Sequence, residues 1–136
     1  MQHTFKTPPE APPTALVIRT SPNLSADKRT KNYSGTNPPY LTSEAMHWIR
    51  HELEIEHLLL DLPSVDREQD QGKLSNHRRF WDVPPTSTDL PKDHARRVCT
   101  ITEMVYVPDA IQDGLYLLQI ELPALLTDAA PSRPIL

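Results

Sequence analysis

The sequence has 136 residues with 14 Lys+Arg against 18 Asp+Glu, and its formal net charge of −4 provides no basic surface for nucleic acid or an anionic membrane. The length predicts one domain, and 38% hydrophobic residues can build a modest core, which excludes wholesale disorder. Fifteen prolines against three glycines indicate a stiff chain with short helices. With the single cysteine Cys99 and no run typical of a signal or a membrane span, we expect a cytoplasmic protein.

The N-terminal part of the sequence predicts an arm, a strand and a loop. Residues 1–14 contain four prolines and are predicted to form an extended arm before a domain that occupies 15–136. The short apolar run at 15–18 ends at a turn signal, which predicts a buried strand. The polar segment 25–40 then predicts a long loop that covers a site or is held by something bound.

An amphipathic helix is predicted next, because Thr42 or Ser43 can cap its first turn. Apolar residues recur at helical spacing and are predicted to face a sheet: Ala45, Trp48, Ile49 and Leu53. His47 and His51 lie four residues apart, a spacing that can hold a metal ion. Because both histidines lie opposite the apolar stripe, a solvent-exposed helix face is favoured over a ligand pair.

The second half of the sequence predicts further strands. The apolar run at 57–61 predicts a buried strand that is parallel to the first strand, since a helix connects them. A helical turn is predicted around 74–81, and the segments 100–107 and 115–122 are predicted to be strands. The tail at 123–136 is expected to be extended at a sheet edge. These elements predict an α/β fold with a mixed β-sheet and few helices.

Some polar residues beside or within predicted strands are candidates for a binding site or for local turn capping. Asp61 and Asp66 follow a predicted strand, where paired carboxylates bind a cation or orient a histidine. Alternatively, Asp61 and Ser64 cap local turns. Glu103 lies among apolar residues of a strand, which requires a cation, a polar cavity or surface exposure. Structural zinc and a thiol nucleophile at Cys99 are disfavoured, because no second cysteine accompanies it.

Several separate blocks of the sequence form a recognisable series. They lie at 15–20, 33–41, 57–68, 72–77, 101–108, 114–118 and 128–134, and include the segments Asp61-Leu-Pro-Ser-Val-Asp66 and Ile101-Thr-Glu-Met-Val-Tyr-Val-Pro108. In this order the blocks resemble the C-terminal part of the metal-dependent cyclase family, to which the bacterial kynurenine formamidases (arylformamidases) belong. The resemblance covers nearly the whole chain from about Ala15 onward.

The resemblance implies part of a cyclase-like swivelling β/β/α fold. It also implies a hydrolase that converts N-formyl-L-kynurenine to L-kynurenine and formate in tryptophan catabolism, with Zn²⁺, or Mn²⁺, as the metal. His77 and Glu103 match the family's metal ligands. Ser64 and Asp66 are implied to support the ligands or to shape the loop, and Tyr40 is implied to lie near the substrate.

One family motif does not occur in this sequence. Family members carry His-x-Gly-Thr-His-x-Asp in their N-terminal half, which supplies the primary metal ligands, and a downstream histidine that acts as base. We therefore expect no catalytic residue in this chain, a small-molecule substrate, and either a homo-oligomer or association with a missing half. The alternative is a half-length, non-catalytic fragment or pseudoenzyme that associates with a partner chain through exposed apolar surface and strand edges.

Overall fold

A three-stranded parallel sheet lies at the centre of the computed structural model, which describes residues 11–23, 25–87 and 89–136. Its strands are β1 (Ala15–Ile18), β2 (His57–Leu60) and β3 (Thr100–Thr102), in the order β1-β2-β3. The register pairs Ala15 with His57 and His57 with Thr100. The predicted parallel pairing of the first two strands is confirmed. Most of the predicted N-terminal arm, at residues 1–10, lies outside the described residues.

A second, separate sheet is formed by the C-terminal part of the chain. The strands β4 (Gln119–Glu121) and β5 (Arg133–Ile135) pair antiparallel, with Ile120 opposite Pro134. The chain is therefore α/β with few helices, as predicted, but its strands form one parallel and one antiparallel sheet. The expected extended tail contains β5, which pairs with β4.

The third strand is shorter than the predicted span of 100–107 because the backbone kinks after Thr102. Met104 adopts a φ of 61°, a left-handed conformation that an extended strand does not contain. The amides of Met104 and Val105 nevertheless donate to the carbonyls of Leu62 and Leu60, each at 3.0 Å. The kinked segment therefore continues along β2, and it changes the direction of the residues around Glu103.

The helices are short, as the proline content indicates. They are α1 (Ser25–Thr30), α2 (Ser43–His47), a π-helical turn (Trp48–Glu52), α3 (Ser75–Trp81) and a 3₁₀ turn (Ala95–Val98). The predicted loop at 25–40 thus begins with a helix, and α3 matches the predicted turn at 74–81. The predicted cap is present, because the Thr42 hydroxyl accepts a hydrogen bond from the Ala45 amide at 3.2 Å. In the described part of the chain, no helix is long and apolar enough to span a membrane.

The core lies between the parallel sheet and the helices α2 and α3. Its fully buried side chains include Met46, Leu58, Leu60, Val65 and Phe80. The predicted core position of Trp48 is wrong, since its side chain is 54% exposed. The predicted burial of Ile49 is confirmed, and Met46 is buried in place of Trp48, because Met46, Ile49 and Leu53 share a face with the same helical spacing that packs on the sheet. The predicted exposure of His47 and His51 is confirmed.

The end of the π-helical turn provides a test of backbone conformation. Glu54 is exposed and has a φ of 54°, and the following Ile55 amide donates to the Ile49 carbonyl at 3.1 Å. Because glycine adopts this conformation without a Cβ clash, Glu54→Gly is expected to raise the free energy of unfolding by about 0.5–1 kcal/mol in urea denaturation. The control Glu52→Gly lies inside the turn and is expected to lower it by about 1 kcal/mol. Equal losses in both variants would contradict this explanation.

Candidate functional site

Three polar side chains meet where the strands β2 and β3 end. Asp66 lies in the loop after β2, His77 in the first turn of α3, and Glu103 directly after β3. In open α/β sheets, the carboxyl ends of parallel strands are where loops collect polar groups and ligands bind. Asp66 and His77 are 11 residues apart in the sequence. Glu103 lies 38 residues after Val65, the neighbour of Asp66 whose amide it contacts.

The imidazole of His77 lies between two carboxylates. Its Nδ1 is 2.7 Å from Asp66 Oδ2, and its Nε2 is 3.4 Å from Glu103 Oε1. A neutral imidazole that donates from Nδ1 presents a lone pair at Nε2 to the second carboxylate. A metal ion bound between Nε2 and Glu103 would stabilise this arrangement.

Asp66 orients His77 and also organises the first turn of α3. Its carboxylate is buried, accepting a hydrogen bond from the Asn76 amide at 2.7 Å and from the His77 amide at 3.2 Å. The N-cap residue Leu74 has no side-chain acceptor, so Asp66 accepts the hydrogen bonds of first-turn amides that an N-cap side chain usually accepts. Of the alternatives predicted from the sequence, the contacts of Asp66 agree with the one in which an aspartate orients a histidine.

Glu103 is half-buried and is held by the same loop. Its Oε1 accepts a hydrogen bond from the Val65 amide at 2.9 Å, and 27% of its side chain is exposed. The Glu103 carboxylate thus points toward the Val65 amide and His77 rather than fully into solvent. The kink at Met104 follows directly, and backbone strain of this kind is concentrated at functional sites.

Ser64 and Asp61 have structural contacts. The Ser64 hydroxyl accepts a hydrogen bond from the Asp66 amide at 3.1 Å, which closes a local turn. Asp61 is buried and accepts hydrogen bonds from the amide and the hydroxyl of Thr20, both at 2.9 Å, and it forms an ion pair with Lys28. Asp61 therefore attaches α1 to the end of the sheet, and it is not in contact with His77.

The structure places Tyr40 with Asp66 but not with His77 and Glu103. Tyr40 and Asp66 line a polar cavity of about 390 Å³, whereas His77 and Glu103 line another. The Tyr40 hydroxyl is hydrogen-bonded to Arg67, whose guanidinium lies 4.9 Å from the Tyr40 ring centre. The Glu68 carboxylate holds the preceding segment by accepting hydrogen bonds from the Gly35 and Asn37 amides, at 2.5 and 2.8 Å. These contacts hold the segment that contains Tyr40 against the loop after β2.

His77 and Glu103 line a cavity of about 850 Å³. The Trp81 ring stacks on the His77 ring at 6.1 Å with an interplanar angle of 23°. The wall is mixed: it includes the apolar residues Ile101, Met104, Val105, Ile120 and Leu122 and the polar residues Thr100, Thr102, Thr127, Asp128 and Ser132. Residues 127–132 also line it, so part of the last resembling block borders the cavity. Sequence reasoning gave Trp81 no role, although its position four residues after His77 places both on one helix face.

Cys99 also lines this cavity, but its chemistry disfavours a catalytic role. The side chain is buried, and desolvation raises the pKa of its thiol above the ordinary value. A raised pKa lowers the fraction of thiolate, which is the nucleophilic form. The sequence interpretation that disfavours a cysteine nucleophile is consistent with this environment.

The donor atoms fit part of a metal site. An imidazole nitrogen and a carboxylate oxygen are ligands that zinc takes, and a carboxylate on the other imidazole nitrogen is typical of metal-binding histidines. Among residues 11–23, 25–87 and 89–136, however, no group of three or more His, Cys, Asp or Glu side chains is arranged to hold a metal ion. Since catalytic zinc takes three protein ligands, His77 and Glu103 are fewer than a complete set.

Comparison with known proteins gives no independent assignment. No protein-family model matches the sequence, and no curated protein or solved structure matches it. Function is therefore inferred from the geometry around His77 and from the resemblance of the sequence blocks.

The role of Asp66 can be measured through stability and through the state of the imidazole. Asp66→Asn keeps the shape of the side chain but removes the charged acceptor of two amides and of His77 Nδ1. We expect it to lower the free energy of unfolding by about 1–3 kcal/mol, measured in urea, and to shift the imidazole ¹⁵N resonances of His77. The exposed Asp93 provides the control Asp93→Asn, for which neither change is expected. Unchanged His77 resonances in Asp66→Asn would contradict the assigned contact.

Proposed function

We propose that this chain contributes part of the metal site of a cytoplasmic, metal-dependent amide hydrolase of the cyclase family, an arylformamidase that acts on N-formyl-L-kynurenine. One observation carries the proposal: the imidazole of His77 is fixed by Asp66 at one nitrogen and faces Glu103 with the other. The cyclase-like swivelling β/β/α fold belongs to the same proposal.

The contacts of His77 support a ligand role. Asp66 sets the ring orientation and leaves Nε2 available, which is the arrangement that outer carboxylates give to metal-binding histidines. Glu103 is held in place by the Val65 amide while its carboxylate remains 27% exposed toward the cavity. A divalent ion at these two groups would polarise an amide carbonyl and make water a stronger nucleophile.

The cavity supports an aromatic amide as the substrate class. The Trp81 ring beside His77 and the apolar part of the wall favour a flat aromatic group, and the polar part of the wall can bind the polar atoms of an amide. The net charge of −4 likewise disfavours a polyanionic substrate. The aryl ring of a formylkynurenine fits these preferences.

The two donors of the described residues require further ligands from elsewhere. Catalytic zinc takes three protein ligands and keeps one position open, so at least one ligand in this proposal comes from outside the described part of the chain. His77 and Glu103 would then act as the ligand pair that this chain adds to the site.

A second candidate function is supported by the exposed apolar side chains of the C-terminal part. Several leucines around β4 and β5 are more than half exposed: Leu117, Leu122, Leu125 and Leu126. Groups of exposed large apolar residues mark interaction surfaces, and a two-stranded sheet alone is marginally stable. These features favour a non-catalytic chain, a fragment or pseudoenzyme, that associates with a partner chain or with a second copy.

The metal proposal predicts that ligand substitutions remove metal binding. Zinc and manganese binding is measured by calorimetry on the purified chain in a background that carries His3→Gln, His47→Gln and His51→Gln, so that these other histidines do not contribute. Hydrolysis of N-formylkynurenine is followed with and without the N-terminal half of a cyclase-family relative added in trans. We expect His77→Gln and Glu103→Gln each to weaken metal binding by about tenfold or more and to abolish any activity, since each removes one of few ligands.

The matched controls are His94→Gln and Glu121→Gln, which change the same residue types away from the cavity beside His77. They are expected to retain metal binding and activity. Metal binding that survives both His77→Gln and Glu103→Gln would contradict the ligand assignment. Metal binding without hydrolysis under either condition, in a folded preparation, would favour the non-catalytic candidate.

The second candidate predicts self-association through the leucines around β4 and β5. Sedimentation velocity over a range of concentrations is expected to show reversible oligomers, and Leu122→Glu with Leu126→Glu to shift the population to monomer, because charge at an apolar interface is costly. The control Val98→Glu changes another exposed apolar residue, 77% exposed, outside this region. A monomer at all concentrations, or equal effects of Val98→Glu, would contradict this interface.

A further inference from the structure

Two exposed histidines lie in contact on the outer face of the second helix. His47 ends α2 and His51 lies within the π-helical turn that follows, and their ring centres are 4.5 Å apart at an interplanar angle of 42°. On the opposite face of the same helix, Met46 and Ile49 are buried in the core. The helix that carries the two rings is therefore fixed to the body of the protein, and its Thr42 cap fixes its start.

We infer that His47 and His51 form a two-histidine binding site for a divalent late transition metal, with Cu²⁺ as the preferred ion. This site uses neither His77 nor Glu103, and it stands independently of the proposed function. Helical positions i and i+4 place two imidazoles on one face, where both can bind one ion while water completes its coordination.

The separation of the rings suits one shared metal ion. A metal ion bound about 2.0 Å from an imidazole nitrogen lies about 3.2 Å from the ring centre. Two rings bound at a right angle then have centres about 4.5 Å apart, whereas tetrahedral binding separates the centres by about 5.2 Å. The ring centres of His47 and His51 are 4.5 Å apart, which is close to these separations, so one ion can bind both imidazoles.

The accessibility and chemistry of the pair favour Cu²⁺. Both residues are exposed, so an ion reaches them without opening the core. Imidazole suits copper, nickel and zinc, and copper binds most strongly to nitrogen ligands among the divalent first-row ions. The ordered helix pays little entropy to bring the two rings together, because they are already in contact in the protein.

The test is a titration of the full chain with Cu²⁺, followed by calorimetry and electron paramagnetic resonance. All variants carry His3→Gln, so that a histidine outside the described residues does not contribute. We expect one ion to bind at this pair, with equatorial coordination by two imidazole nitrogens. His47→Gln and His51→Gln are each expected to weaken binding by about tenfold or more, and the double variant to remove this site, because a single imidazole loses the chelate.

Two matched controls separate this site from the rest of the protein. His94→Gln and His77→Gln are expected to leave the two-nitrogen signal and its affinity unchanged, and circular dichroism shows whether each variant is folded. Copper affinity that is equal in the parent and in the folded double variant would overturn the inference. Loss of the signal in His77→Gln, with retention in the double variant, would also overturn it and would assign copper to the proposed hydrolase site.

Discussion

The buried carboxylate of Asp66 is the group on which the arrangement of the candidate site depends. One oxygen accepts the Asn76 amide, and the other receives both the amide and Nδ1 of His77. A buried carboxylate is costly unless it is well hydrogen-bonded, so these contacts are required for its burial and at the same time fix the start of α3. The direction of the His77 ring thus follows from how Asp66 is stabilised.

The same loop after β2 connects the other parts of the protein through its polar groups. Asn76 donates to the carbonyls of Leu41 and Val65 at 2.7 and 2.9 Å, which joins the start of α3 to the segment before α2. The Val65 amide holds Glu103, so both carboxylates that face His77 are positioned from neighbouring residues of one loop. A displacement of this loop would therefore change the orientation of the imidazole and the position of its partner together.

Local sequence patterns predicted the strands and the helix cap, whereas long-range contacts determine which side chains are buried and which lie together. The strands at 15–18 and 57–60 and the Thr42 cap follow from apolar runs and from a residue type whose effect is local. Because a carboxylate is costly among apolar residues, the sequence required a cation, a polar cavity or surface exposure for Glu103. In the structure Glu103 is 27% exposed and lies 3.4 Å from His77. Trp48 was misplaced because two overlapping stripes share the helical spacing, and periodicity alone does not select between them. The separation of Tyr40 from His77 depends on contacts with Arg67 and Glu68 across the fold, which spacing does not encode.

Both candidate functions require groups from outside the described part of the chain, since His77 and Glu103 provide only two metal ligands there and the non-catalytic chain needs a partner. His77 and Glu103 face each other at 3.4 Å, a geometry that gains stability from a cation but that two ligands alone hold weakly. The exposed leucines around β4 and β5 favour association. If the associating chain supplies the further ligands, association and metal binding become linked, because each stabilises the state that the other requires. The two candidate functions then differ in the ligands of the partner and not in the fold of this chain.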